Sequence, residues 1–223
     1  MTAADWDAAW TTLALAALTA PLLLLIATPI AWRLAFARGR WKSVAEALVV
    51  LPLVLPPTVL GFYMLLALGP SGWEGATGVP LLFTFPGLVV ASCVHSLPFA
   101  VQPLQNAFES VGRARLEAAA SLNAAPWDAF VNVALPLAAR GYVTAGVLTF
   151  AHTLGEFGVL WMVGGAVPGR TRILSVAIYE HVERLDYAAA GRLSLALMAV
   201  SFTVLLAVYV LNRRARVSVA GPR

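Results

Sequence analysis

The sequence predicts an all-α integral membrane protein, one domain over residues 1–223 with about five transmembrane helices. Three observations lead there. Hydrophobic residues make up 60% of the 223 and charged ones only 12%, where a soluble domain carries about a quarter charged side chains. Mean hydropathy is +0.81. Five segments each hold about 20 mostly apolar residues, the length that crosses a bilayer.

The first segment, residues 13–32, reads "LALAALTAPLLLLIATPIAW" without a charge. It is too long for a signal-peptide core, and Asp5 and Asp7 precede it where a signal would carry basic residues, so it reads as a retained span. Residues 47–68, 83–105, 142–163 and 193–211 supply the other four. Basic residues near span ends stay in the cytoplasm. Arg33, Arg38, Arg40 and Lys42 follow the first span, Arg113, Arg115 and Arg140 the third, and Arg213, Arg214, Arg216 and Arg223 the fifth. This pattern puts the N-terminus outside and the C-terminus in the cytoplasm of a chain expected in the inner (plasma) membrane, among lipids. The loop "GPSGWEGATGVP" between spans two and three has no basic residue. Arg170, Arg172, Arg184 and Arg192, between spans four and five, break the pattern. That segment reads as a translocated amphipathic helix, with Ile173, Val176, Ala177, Val182 and Leu185 as its apolar stripe.

The net charge of +4 and pI near 9.7 do not indicate nucleic acid, because the arginines sit beside apolar runs rather than in a basic stripe interleaved with aromatics. Cys93 is the one cysteine, and it reads as a small packing residue.

Between spans three and four lies a cytoplasmic loop, residues 109–140, carrying "EAAASLNAAPWDAFVNVALPLAARG". Residues 109–122 predict a helix, with Glu109, Arg113 and Glu117 at i, i+4 spacing and three alanines in a row. Asn123 tolerates the left-handed conformation that ends a helix. Pro126 suits a first helical position and Asp128 the positive end of the dipole. Trp127, Phe130, Val131 and Ala134 recur at i, i+3, i+4 and i+7, and Leu135–Pro136 closes the short helix. Two readings of this apolar knob are open: it packs back on its own bundle, or it enters a groove on a partner.

Glu117-Ala118-Ala119, Asn123 in the place of a glycine, and Leu135-Pro136 resemble the "EAA" loop of ATP-binding-cassette importer permeases. "LPLVLPPTVLGFY" and "TLGEFGVLWMVGGAVPGRTR" extend the resemblance over most of the chain, and the latter resembles the molybdate branch more than its sulfate and tungstate relatives. The resemblance implies an importer permease fold and a homodimer around a central pore, which is not itself an enzyme. Two cytosolic ATPase subunits would grip Glu117, Ala118, Ala119, Asn123, Trp127, Phe130, Leu135 and Pro136. An extracytoplasmic protein would deliver the oxyanion, with Arg170 and Arg172 as its contacts.

Pro52, Pro56 and Pro57 in span two, and Pro86, Pro98 and Pro103 in span three, predict kinked helices that line a pathway. Glu156 is the one acid well inside a span, where a central acid costs about 2.5–3.5 kcal/mol. It reads as part of a gate or interface with Gly155, Phe157 and Gly158, the two glycines allowing close helix approach. Lys42 and Glu46 form an interfacial pair. His95, His152 and His181 read as packing or hydrogen-bonding residues, without metal-site spacing, and neither a phosphate-binding loop nor a cofactor motif is present. An ion-coupled secondary carrier is the rival class, against which stand the lone buried acid and the lack of a visible repeat.

Overall fold

The computed structural model describes residues 2–217, with side chains described to residue 206. Arg223, assigned above to the cytoplasmic side, lies outside the described residues. Among those described, all regular structure is helical. The first half of the chain forms α1 (Ala3–Phe36), α2 (Arg40–Val54), α3 (Pro57–Leu68), α4 (Trp73–Thr77) and α5 (Phe85–Val111). These are followed by α6 (Arg113–Ser121), α7 (Pro126–Ala129), a π-helical turn (Phe130–Ala134), α8 (Leu135–Gly155), α9 (Gly158–Gly164), α10 (Leu174–Glu183) and α11 (Tyr187–Val217).

α1 starts in a capping box, in which the Asp5 N–H donates to Thr2 Oγ1 at 3.2 Å and the Thr2 N–H to Asp5 Oδ2 at 2.8 Å. Its 34 residues extend about 51 Å, well beyond a hydrocarbon core of about 30 Å. α1, α5 and α8 pack together as the centre of the bundle. Small residues with no exposed surface, Ala27, Ala31, Ala91, Ala100, Ala138 and Ala145, allow close approach of membrane helices. Leu15, Leu88, Leu104 and Phe108 fill the remaining core space.

Among the described residues, four helices are long and apolar enough to cross a membrane: Ala3–Phe36, Phe85–Val111, Pro126–Gly155 and Tyr187–Leu206. The pair Arg40–Val54 and Pro57–Thr77, bent by 107°, makes a fifth crossing if counted as one span. The segment 47–68 is therefore not one helix. Leu55 and Pro56 each precede a proline, and both are extended, at ψ 138° and 134°, because the following ring excludes the helical conformation. The fourth apolar segment also departs from its expected bounds of 142–163. Its helix begins at Pro126 and ends at Gly155, so Glu156 sits at a break and not inside a span.

Leu135–Pro136 does not close a helix. The missing N–H of Pro136 is accommodated by the π turn before it, in which the Leu135 N–H reaches back five residues to the Phe130 carbonyl. The helix predicted over 109–122 is likewise two: Gly112 at φ +73° divides α5 from α6, and Glu109 pairs with Lys42 at 3.0 Å instead of with Arg113. α10 is packed against the bundle, with Leu174, Val176, Ala177 and His181 buried and the Leu174 N–H donating to Thr12 Oγ1 at 2.8 Å. Val182 and Leu185 are 41% and 71% exposed. Leu185 lies past the end of the helix, at φ +63°, so it never joins the predicted stripe.

Candidate functional site

The loop after α5 closes in a defined C-cap. Asn123 adopts φ +61°, its N–H donates to the Ala120 carbonyl at 2.9 Å, and the Ala124 N–H donates to Ala119 at 3.1 Å. That double bond pattern is a Schellman motif with asparagine in the usual glycine position. Glu117 and Ala118 are exposed on α6. α7 then divides the apolar knob into two parts. Phe130 meets Trp32 edge-on at 5.0 Å, and Trp32 meets Phe36 and Phe108 at 4.8 and 5.1 Å. Ala129 and Ala134 are buried. Trp127 stacks on Phe130 at 5.5 Å yet stays 70% exposed, and Leu122 is 83% exposed. One face is thus anchored to the bundle while the tip is left uncovered. Arg113 donates to the Phe36 carbonyl at 2.6 Å and Arg115 to Val111 at 2.5 Å, capping the C-terminal ends of α1 and α5.

A second group forms where two helix breaks meet. The break at Leu55–Pro56 leads into α3, and the break at Glu156–Phe157 leads into α9. A Cβ on Gly158 would lie 2.9 Å from Pro57 Cβ, and one on Gly61 would lie 2.8 Å from Met162 Sδ, so these glycines allow α3 and α9 to touch. Gly155 has open space where a Cβ would stand; close packing inside this chain gives no reason for it. Glu156, 4% exposed, accepts from Ser92 Oγ at 2.8 Å and from His95 Nδ1 at 2.8 Å, while Ser175 Oγ donates to its backbone carbonyl at 2.7 Å. His152 pairs through Nδ1 with Ser96 Oγ at 2.9 Å and stacks on Phe99. Phe157, Trp161 and Tyr179 form an aromatic group beside the break, and hydrogen bonding to Glu183 pushes the Tyr179 phenol above its usual pKa.

The protein family described as the binding-protein-dependent transport system inner membrane component matches residues 24–217. The chain belongs to that family. The permease is 55% identical over 203 residues to the molybdenum transport system permease protein ModB of Azotobacter vinelandii, covering 89% of this chain and 90% of that one. It is 39% identical over 198 residues to ModB of Mycobacterium tuberculosis (86% and 74% covered). To the sulfate transport system permease protein CysT of Escherichia coli it is 30% identical over 188 residues (82% and 68% covered). Among solved structures, the permease superposes on a bacterial transporter involved in alginate import with a TM-score of 0.77 at 17% identity, covering 96% of this chain and 80% of that one. The inward-facing MetNI methionine transporter gives 0.74 at 18%, covering 96% and 99%. These likenesses establish an ABC importer permease fold.

Arg172 of the permease does not offer a free contact. It is 6% exposed, donating to Glu180 Oε2 at 2.8 Å and the Ala4 carbonyl at 2.9 Å, and it stands 3.7 Å from Asp5. His181 joins Asp5 at 3.1 Å. An arginine buried without such partners would be costly, so its role here is to clasp α10 to the start of α1. Arg170 is exposed, on a cavity of about 500 Å³ with Trp10, Thr11 and Phe83. Sequence reasoning misses the grouping of His95, His152 and Glu156, whose ligand-type atoms lie within 4.8 Å of one another. The signal is present as spacing: Ser92, His95 and Ser96 lie at i, i+3, i+4 on one face of α5, and His152, in the last turn of α8, lies four residues before Glu156, which caps that helix.

Proposed function

We propose that this chain is the pore-forming subunit of an ATP-driven importer that carries molybdate into the cytoplasm, working as a homodimer in the inner membrane. Two separate cytosolic ATPase subunits hydrolyse ATP and grip the loop from Glu117 to Pro136. An extracytoplasmic binding protein delivers the oxyanion to the opposite end, where exposed Arg170 is the contact we assign. The observation that carries the coupling role is the uncovered Trp127–Leu122 tip on a base pinned by Phe130 and Trp32. A rigidly mounted apolar tip is what a partner groove needs, because little ordering cost is left to the binding step. The cargo reading rests on similarity to the two molybdenum permeases.

In this reading Arg33, Arg38, Arg40, Lys42, Arg113, Arg115 and Arg140 share the cytoplasmic end with the loop, as the positive-inside tendency requires. Arg172 is tolerated at the other end because Asp5 and Glu180 neutralise it. Glu156, Gly158, Pro56 and Pro57 form the gate, where two interrupted helices meet. Phe157 flanks it, and Gly155 is kept for contact with the second copy.

The test is reconstitution of the permease with its ATPase and binding protein in proteoliposomes. ATP-dependent molybdate uptake is expected, with co-purification of the ATPase weakened by Trp127→Ala and by Glu117→Arg. Uptake that is driven by an ion gradient and indifferent to ATP would overturn the importer reading. Sulfate is the rival cargo, favoured by the CysT similarity. Equal competition by sulfate and molybdate would reassign the cargo without touching the coupling role.

A further inference from the structure

α5 is the most buried of the spanning helices, yet one stripe of it is uncovered. His95, Phe99, Gln102 and Asn106 lie at i, i+4, i+7 and i+11, a single helix face. His95 and Phe99 are half-buried and Gln102 and Asn106 exposed, while Ala100, Val101, Leu104 and Phe108 on the other faces are fully buried. Primary amides facing hydrocarbon would each cost several kcal/mol by the general scale for unsatisfied polar groups in lipid (about 2–7 kcal/mol). This face therefore meets water, cargo or protein. Among the described residues Gln102 and Asn106 have no hydrogen-bond partner, whereas neighbouring Gln105 is committed to Glu46 at 2.6 Å and Glu109 at 3.1 Å. Both free amides open on a cleft of about 380 Å³ between α2 and α5, bounded by Val49 and Val50 and, on its charged side, by Glu46 and Gln105.

Charge narrows the occupant. The two carboxylates at the cytoplasmic mouth, Glu46 and Glu109, are bridged by Lys42 at 3.6 and 3.0 Å. At the far end the Glu156 carboxylate is held behind His95 and Ser92. Lys42 offsets one of the two charges at the mouth and Gln105 donates to both carboxylates there, so the stripe between the two ends offers amide N–H donors and carries no carboxylate of its own. Uncharged donors replace part of the hydration of an anion without trapping it, as passage requires: binding strong enough to enter and weak enough to leave.

We propose that Gln102 and Asn106 form the oxyanion-contacting wall of the translocation path, their amide N–H groups coordinating a tetrahedral dianion below the Glu156 break. This deepens the importer reading and rests on it. The experiment uses the complete transporter in proteoliposomes. In a Cys93→Ser background, cysteines replace Gln102, Asn106 and, as a control on α11, Met198, and a sulfonate-bearing methanethiosulfonate probes them with and without molybdate. Positions 102 and 106 are expected to react about tenfold faster than 198, since a thiol in hydrocarbon does not ionise to the reactive thiolate, and molybdate should slow them. Gln102→Leu and Asn106→Leu should each lower uptake about tenfold, the loss of roughly one hydrogen bond to a charged group, with the ATPase still co-purifying. The inference is overturned if wild type transports molybdate while 102 and 106 are inert. It is equally overturned if they crosslink between copies and both leucine variants transport normally, which would make the stripe a dimer contact. Absence of any ATP-dependent oxyanion uptake by wild type would instead sink the parent reading.

Discussion

Two helix breaks of the permease meet in its bundle, and they are made in different ways. At Leu55–Pro56 the cause is covalent: two successive residues each precede a proline, both are driven into extended conformation, and the chain turns through 107°. At Glu156–Phe157 there is no proline. The chain leaves the helix at Glu156 (ψ 134°) and is held there by other elements, with Ser92 and His95 on the carboxylate and Ser175 on the carbonyl. The first break is fixed whatever surrounds it. The second persists only while α5 and α10 stay in place, so movement of either helix reaches it directly. Since Pro57 rests on Gly158, the adjustable break is braced against the fixed one.

The sharpest way to separate them is to remove the tertiary support. Glu156→Ala leaves Ser92 and His95 without their buried acceptor, and we expect a loss of about 3 kcal/mol in unfolding free energy in mixed micelles, in the range for breaking a buried pair. Glu156→Gln keeps an acceptor for one of the two donors and should cost less. Equal stability of wild type and the alanine variant would mean that the break is set locally after all. Next in size is the brace itself. Gly158→Ala places a methyl 2.9 Å from Pro57 Cβ, a contact the ring cannot evade by rotating, and about 2 kcal/mol of overpacking is expected. Pro56→Ala with Pro57→Ala should cost only about 1 kcal/mol, mostly through the freer unfolded chain. A larger loss would show that α3 depends on its prolines for packing and not only for direction.

The same contrast decides what is legible in the sequence. Whatever is local can be read: the Asn123 turn, the start at Pro126, a kink at Pro56–Pro57, and the EAA resemblance of Glu117 to Pro136. The apolar spans are legible to the extent that a segment equals a helix. That equation fails at 47–68, where prolines inside an apolar run divide it, and at 142–163, where the run continues through a break with no hydropathy signature. Pro136 reads as a terminator, yet a π turn absorbs its missing N–H, and no residue type announces a π turn. The links from Arg172 to Ala4 and Asp5, and from His95 to Glu156 and His152, join residues more than 50 positions apart, and only the packing of α5 against α8 and of α1 against α10 reveals them. Glu156 stands out in the sequence for a sound reason, the cost of an acid among apolar residues, but its partners lie beyond the reach of local pattern.

The smallest expected effect is also the most discriminating for the proposed second copy. Gly155 ends α8 with open space beside it, so within one chain Gly155→Ala should be neutral or stabilising, by up to about 0.5–1 kcal/mol, from the lower backbone entropy of alanine. Its neighbour three residues on has the opposite expectation for a reason visible in this chain. If Gly155→Ala leaves the unfolding free energy of the monomer intact but weakens dimerisation or uptake, the space beside it is filled by the partner copy. If neither changes, Gly155 takes no part in the proposed gate, and the adjustable break consists of Glu156, Phe157 and Gly158 alone.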